Sequence, residues 1–189
     1  DLMCGLVAPT SGKVFFKGEE VTKRTAESRR RIGRVVSVVF QDPATALNPR
    51  MVVRDQLADP MRVHRIGTET ERMKRVRELI SMVGLPASAL DTLPGQLSGG
   101  QRQRVAIARA LAVGPDAIIA DEPTSALDVS VRAQVLNLLM DLKRELDLAM
   151  VFISHDIQTV RYISDRIAVM NAGVVVEEGP AAELLANPR

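Results

Sequence analysis

The feature that most constrains the fold is the alternation of short apolar runs with helical patterns in the second half of the chain. Residues 117–120 and 149–153 are apolar runs, and a segment predicted to be helical follows each of them. An earlier run, VVSVVF at residues 35–40, is continuous and rich in β-branched side chains, as strands buried on both faces are. Strands that alternate with helices usually pair in parallel. The sequence therefore predicts an α/β fold with a mostly parallel sheet covered by helices.

The predicted elements after residue 98 are helices at 101–113, 129–146 and 157–163, and a hairpin whose strands cover 167–170 and 174–177. Residues 44–97 differ, because their apolar residues follow a helical period. One apolar face in this block is formed by Val76, Leu79, Ile80 and Val83. A helix around Gln56 is expected to break near Pro60, since proline lacks an amide donor.

The domain prediction follows from these patterns. We predict a single α/β domain over residues 1–189, with residues 44–97 forming a helical subdomain inserted between 1–43 and 98–189.

A glycine-rich turn opens the helix predicted at 101–113. Ser98 is suited to cap that helix, and Gly99 and Gly100 place bare backbone amides at the positive end of its dipole. This arrangement favours an anion such as a phosphate. The structural alternative is an ordinary capped helix after a glycine turn.

Polar residues end two of the predicted strands. Asp121 and Glu122 follow the strand at 117–120, at the carboxyl end where ligands of open α/β sheets bind. One carboxylate can hold Mg²⁺ through its water shell and the next can activate water, although many strands simply end in a solvated acid. His155 follows the strand at 149–153 and is able to donate to a phosphate, although a single histidine is more often structural.

Together these segments resemble the ATPase family of ABC transporters, in order as well as in content. In this resemblance Gln41 matches the Q-loop glutamine and LSGGQ at residues 97–101 matches the family signature. Asp121 and Glu122 match the Walker B aspartate and the catalytic glutamate.

The resemblance continues to the end of the chain. SALD at residues 125–128 is similar to the D-loop, and His155 is similar to the switch histidine. GVVVEEG at 173–179 resembles the hairpin that follows. FQDP at 40–43, followed by LNPRM at 47–51, is similar to segments of the subfamily that imports oligopeptides, dipeptides and nickel.

The resemblance implies a P-loop NTPase-like fold and a subunit that couples ATP hydrolysis to the import of peptides or a related small solute. The implied cofactors are ATP and Mg²⁺. The implied site residues are Glu122, His155 and Gln41 for catalysis, Asp121 and Gln41 for Mg²⁺, Asp128 in the D-loop, and Ser98, Gly99, Gly100 and Gln101 for ATP held by a second subunit.

The partners are also implied by the resemblance. They are a second ABC ATPase subunit, identical or different, transmembrane permease subunits that residues 48–59 would face, and indirectly an extracytoplasmic solute-binding protein. No apolar run approaches the ~18–20 residues of a membrane span, so any membrane role must come through partners. The resemblance implies a peripheral position at the cytoplasmic face of the membrane. The balance of 25 basic and 23 acidic residues gives no electrostatic case for nucleic acid.

One family motif is not matched. A phosphate-binding loop requires G-x-x-x-x-G-K-[ST], but around Gly12 and Lys13 the first glycine is replaced by Val7 and the hydroxyl residue by Val14. The resemblance therefore implies that the loop and the first strand lie before Asp1, and that the chain is a piece of a longer protein. These residues alone are then expected not to hydrolyse ATP.

The same resemblance leads to an expectation for the sheet. In the family fold, the strand before the phosphate loop lies between the strands that match 149–153 and 167–170. We therefore expect no hydrogen-bonded ladder between these two strands.

Two other functions remain open at this point. One is a catalytically inactive regulatory subunit, which the unmatched loop favours and the presence of Glu122 and His155 opposes. The other is a soluble ABC ATPase acting on nucleic acid or ribosomes. Such a protein would carry a coiled-coil or zinc-bearing insert between Gln41 and Ser98, and the sequence has none.

Overall fold

The computed structural model describes residues 3–5, 7–16, 18–20 and 25–186. The chain divides into two compact units, Asp1–Val151 and Phe152–Arg189, and each is described by itself. This division does not separate residues 44–97, so the helical subdomain stays a prediction.

A three-stranded sheet has the order β3-β4-β5, and β3 and β4 lie in the first unit. β3 spans Val36–Val39, β4 spans Ala117–Asp121 and β5 spans Ala149–Ile153. β3 and β4 are parallel, with Val36 opposite Ala117. The parallel sheet predicted from the strand–helix alternation is therefore confirmed for this pair.

Short elements precede the sheet. β1 (Phe15–Phe16) and β2 (Glu19–Glu20) form an antiparallel pair, and α1 (Ala26–Val35) leads directly into β3. Thr25 is the N-cap of α1. Its side chain accepts a hydrogen bond from the Ser28 amide, and the Ser28 hydroxyl oxygen accepts one from the Thr25 amide, which completes a capping box.

The regular elements between β3 and the turn at residues 98–101 are all helices. The elements are α2 (Pro43–Ala46), α3 (Val53–Val63), α4 (Glu69–Met82), and 3₁₀ helices at Ala87–Asp91 and Pro94–Gln96. The apolar face predicted for α4 is buried, with Val76, Leu79, Ile80 and Val83 at most 2% exposed. The predicted break near Pro60 is wrong. α3 continues through Pro60, since buried side chains on both sides of it, Leu57 and Met61, hold the helix against the core.

Two further helices flank β4 in the sequence. α5 spans Gly99–Ala110 and α6 spans Val129–Glu145. α5 ends three residues before the predicted limit, because a turn follows it and Gly114 takes a φ of 66°, which is readily available to glycine. Val105, Ile107, Val135 and Leu139, which come from both helices, have no exposed surface. These helices therefore supply much of the core of the first unit.

The second unit contains α7 (Ile157–Ile163), the antiparallel strands β6 (Arg166–Asn171) and β7 (Val174–Pro180), and α8 (Ala181–Ala186). The predicted hairpin is confirmed. The core of this second unit is formed by Ile167, Ala181 and Leu184.

The expectation that no ladder joins the strands at 149–153 and 167–170 stays a prediction. In the described residues, β5 belongs to the three-stranded sheet and β6 pairs with β7 alone. Separately, no helix in the described ranges is both long enough and apolar enough to span a membrane.

Candidate functional site

The carboxyl end of β4 carries the acidic pair. β4 is buried through Ile118, Ile119 and Ala120 and emerges at the exposed residue Asp121. Glu122 then takes a φ of 44°, in the left-handed region that non-glycine residues rarely adopt. The Ser125 amide, 3.2 Å from the Glu122 carbonyl oxygen, and the Ser125 hydroxyl, at 3.0 Å, both donate to it. These bonds hold the strained residue in place, as is common at functional sites.

Gln41 meets this acidic pair from the neighbouring strand. It follows β3, and its Nε2 donates to Glu122 Oε2 over 3.2 Å. Parallel strands end at the same edge of a sheet, so residues that follow β3 and β4 come together there. Gln41 and Asp121 also line one cavity, together with Phe40, Asp42, Thr45 and Ala46. The structure thus brings together Gln41, Asp121 and Glu122 as a group.

The donor set of this group fits Mg²⁺. Mg²⁺ binds oxygen and typically takes one or two carboxylates while keeping waters and phosphate oxygens as further ligands. Asp121 offers a carboxylate, and the bond from Gln41 to Glu122 uses the amide nitrogen, which leaves the amide oxygen of Gln41 as a candidate ligand. Over the described residues, no cluster of three or more His, Cys, Asp or Glu side chains is arranged around a metal position.

The turn at residues 98–101 begins α5 as predicted. The Gln101 amide donates to the Ser98 hydroxyl at 3.2 Å, and the Gln101 side chain accepts from the Ser98 amide at 2.9 Å. This capping box satisfies donors of the first turn. Gly100 has a packing role that the sequence did not reveal. A Cβ at this position would collide with Cγ1 of Val131 in α6, so glycine allows the two helix starts to approach.

Asp128 begins the neighbouring helix. Its carboxylate accepts from the Val131 amide at 3.0 Å and from the Ser130 hydroxyl at 2.8 Å. The backbone bond from Val131 and then the hydroxyl bond from Ser130 lower the pKa of Asp128, because both stabilise the charged form. The predicted D-loop residue is therefore the N-cap of α6.

His155 lies in the second unit, after β5, and is exposed. The next residue, Asp156, caps α7 by accepting from the Gln158 amide at 3.0 Å and from the Thr159 hydroxyl at 2.7 Å. The local turn is therefore well defined. The role of His155 toward a phosphate stays a prediction.

Sequence reasoning missed the residues that hold the segment after Gln41. Arg109 of α5 donates to the Ala46 carbonyl oxygen at 2.6 Å. Gln56 of α3 accepts from the Asn48 amide at 3.0 Å and donates to the Asn48 carbonyl oxygen at 2.8 Å. A polar residue inside the apolar period of a helix was the signal available for Gln56.

Comparisons with known proteins place this geometry in context. The family model described as ABC transporter matches residues 1–125. The chain is 50% identical over 187 residues to an oligopeptide transport ATP-binding protein, OppF, of Bacillus subtilis, covering 97% of this chain and 61% of that protein. It is 45% identical over 184 residues to a putative peptide import ATP-binding protein of Brucella ovis, covering 97% and 58%. The chain thus spans about three fifths of the length of these relatives.

Solved structures resemble it closely. The dimeric, post-hydrolysis ATP-binding cassette MJ0796 bound to ADP and Pi superposes with a TM-score of 0.84 at 33% identity, covering 95% of this chain and 78% of that one. The cbiO1 protein of Clostridium perfringens, part of the transporter complex cbiONQ, gives a TM-score of 0.86 at 27% identity, covering 98% and 72%.

Proposed function

Because this chain belongs to the ABC transporter family, we propose that it forms the ATP-binding and ATP-hydrolysing part of an importer for peptides or a related small solute. The hydrogen bond between Gln41 and Glu122 is the observation that carries the proposal. It joins the residue proposed to act on the attacking water to a residue proposed to hold Mg²⁺. The names of the relatives, which are peptide import ATP-binding proteins, support the class of solute.

Glu122 is proposed as the group that orients and deprotonates the attacking water. Its strained backbone and the hydrogen bond from Gln41 fix the position of the carboxylate. Positioning and charge stabilisation account for most of the catalysis of phosphoryl transfer. Asp121 and the amide oxygen of Gln41 would hold Mg²⁺. When bound, that ion neutralises charge on the β- and γ-phosphates. His155 is proposed to donate to the γ-phosphate.

Residues 98–101 are proposed to serve ATP held mainly by a second ATPase subunit. α5 is 12 residues long, and its first turn presents the positive end of the helix dipole. Ser98 is exposed at this end, where a phosphate of the partner's nucleotide would approach. The dimeric form of the cassette MJ0796 supports an arrangement of two subunits.

Lys13 is not proposed as a phosphate ligand. Its Nζ lies 3.0 Å from Glu20 Oε2, across the hairpin of β1 and β2, so its charge already has a partner. A phosphate site also needs a nest of backbone amides, which one lysine does not replace. The 189 residues alone are therefore proposed to show no ATP turnover.

The surface near residues 48–59 is proposed to face the permease subunits at the cytoplasmic side of the membrane. Gln56 and Arg109 hold this segment through backbone bonds to Asn48 and Ala46, so it is braced against α3 and α5. A cavity lined by residues of 45–49 together with Met51, Gln56, Asp59 and Arg109 opens there. An indirect link to an extracytoplasmic solute-binding protein would follow through the permease.

The test is Glu122→Gln in the full-length gene product. The change keeps the shape of the side chain and removes the base, so hydrolysis should stall while ATP binding persists. Phosphate release measures the first effect and an ATP-stabilised dimer on size exclusion measures the second. Glu145→Gln, at the exposed end of α6, is the matched control and should leave both unchanged. Loss of ATP binding in Glu122→Gln would contradict the assignment. If the wild-type protein itself released no phosphate, the result would favour an inactive regulatory subunit.

A further inference from the structure

A small cavity in the first unit lies where three segments of the candidate site meet. Its volume is about 80 Å³. The segments are the stretch after β3, the first turns of α5, and the loop between β4 and α6. The lining residues are Gln41, Asp42, Pro43, Gly99, Arg102, Gln103, Pro123, Ala126 and Leu127.

Gln103 lines this cavity and has no exposed surface. Neither its Nε2 nor its Oε1 has a hydrogen-bond partner in the protein. The Nε of Arg102, which lines the same cavity, is also buried without a partner. Buried polar groups in native proteins are nearly always paired, with protein or with ordered water. Gln103 and Arg102 are adjacent and both carry unpaired buried polar atoms beside the same cavity, which indicates that a ligand binds there.

The chemistry of the lining selects the ligand. Gln103 Oε1 needs a donor, whereas Gln103 Nε2 and Arg102 Nε need acceptors. A ligand that both donates and accepts satisfies all of them, and a simple cation or anion does not. The cavity exceeds the ~10–15 Å³ that one water needs and is far smaller than a site for a drug-sized molecule.

We propose that this cavity is an internal hydration site, in which ordered water pairs the side-chain amide of Gln103 and the Nε of Arg102 with the surrounding segments. Those segments carry Gln41, the turn at 98–101 and the loop from Glu122 to Asp128. Gln103 is then a positioning residue, which acts on the site through water and through Gln41. The hydration site itself does not depend on the proposed function.

Gln56 provides an internal control for this proposal. It is also a buried glutamine, at 2% exposure, but its amide is bonded directly to the backbone. Its Nε2 donates to the carbonyl oxygens of Asn48 and Met51, at 2.8 and 3.2 Å, and its Oε1 accepts from the Asn48 amide.

The first experiment looks for the water. In the full-length protein with ¹⁵N-labelled glutamine, cross-relaxation between water and side-chain amide protons should be seen for Gln103. A crystal structure with ordered water bonded to Gln103 would agree. A Gln103 amide that shows no water contact, or that bonds to a protein group in the crystal, overturns the proposal.

The second experiment compares Gln103→Asn with Gln103→Met. Asn is shorter but keeps the amide, and additional water can fill the space, whereas Met keeps the length and removes the polar atoms. We expect the thermal midpoint of Gln103→Asn to remain closer to wild type, with Gln103→Met lower by a few degrees, about 2–4 °C. The opposite order would show that shape alone matters at this position and would overturn the proposal.

The positioning role has its own readout, which rests on the proposed function. Gln103→Met should lower kcat roughly tenfold with the KM for ATP unchanged, because small displacements of catalytic groups cost rate more than binding. Gln103→Asn should recover most of kcat. Equal kcat in both variants, with water present at Gln103, would remove the positioning role. Turnover missing from the wild type would instead count against the proposed function and leave the hydration result standing.

Discussion

α5 and α6 approach each other closely at Gly100. The effect of Gly100→Ala on stability should therefore change sign when the neighbouring Val131 is replaced by alanine. In the wild-type background, Gly100→Ala places a Cβ against Cγ1 of Val131. Overpacking of this kind costs about 1–3 kcal/mol. Alanine is favoured over glycine in a helix by up to about 1 kcal/mol, which offsets part of the cost. We expect a net destabilisation of about 0–3 kcal/mol.

Val131→Ala removes the obstructing methyl group. In that background the collision is gone and the helix preference remains, so Gly100→Ala should stabilise the protein by up to about 1 kcal/mol relative to Val131→Ala alone. The coupling energy of the double-mutant cycle is then about 1–3 kcal/mol. Gly99→Ala is the matched control. Its Cβ would lie 3.7 Å from Leu127 Cδ2, an ordinary contact, so it should be neutral or slightly stabilising in both backgrounds.

Urea unfolding of the four variants, followed by circular dichroism, measures the cycle. A coupling energy within the ~0.5 kcal/mol expected of independent sites would refute the reasoning. The same holds if Gly100→Ala destabilises both backgrounds equally, because a backbone requirement for glycine would then replace the collision.

Three further predictions concern turnover, dimer closure and pH. The 189-residue chain should release no phosphate from ATP, and a turnover near ~1 s⁻¹ that Glu122→Gln abolishes would contradict this. Ser98→Arg in the full-length protein should prevent the ATP-dependent dimer seen by size exclusion, because charge and bulk occupy the helix start. Ser98→Ala should cost only about 1 kcal/mol of stability as a lost cap, and a dimer with Ser98→Arg would argue against the in-trans role. Burial, with the charges of Arg34 and Arg30, lowers the pKa of His64 from its ordinary 6.5. The folded state then binds fewer protons than the unfolded state, so stability should fall as the pH drops below about 6.5, and His64→Gln should reduce that slope in urea midpoints measured against pH.

Several elements were predictable because their signals are local. The apolar period placed the buried face of α4, and the apolar runs at 117–120 and 149–153 became β4 and β5. Ser98 and Asp128 act as caps because their short polar side chains reach back to their own helix amides. The error at Pro60 has the opposite origin. Burial of Leu57 and Met61 outweighs a local preference against proline.

The candidate site was predictable in its members and not in its contacts. Chemistry and order along the chain identified Gln41, Asp121 and Glu122 as candidates. The bond between Gln41 and Glu122 joins residues 81 positions apart, so it depends on the register of β3 against β4. No periodicity in either segment encodes that register.

The sequence by itself determined the family, the parallel α/β character and the residue types at the strand ends, because each is read from neighbours along the chain. Tertiary structure decided that Gly100 is needed to accommodate Val131, that Arg109 braces Ala46, and that Gln103 lines a cavity without a protein partner. These depend on distances between elements, which arise when the whole core packs at high density. A single side chain of the wrong size changes them, and no local pattern of apolar and polar residues specifies them.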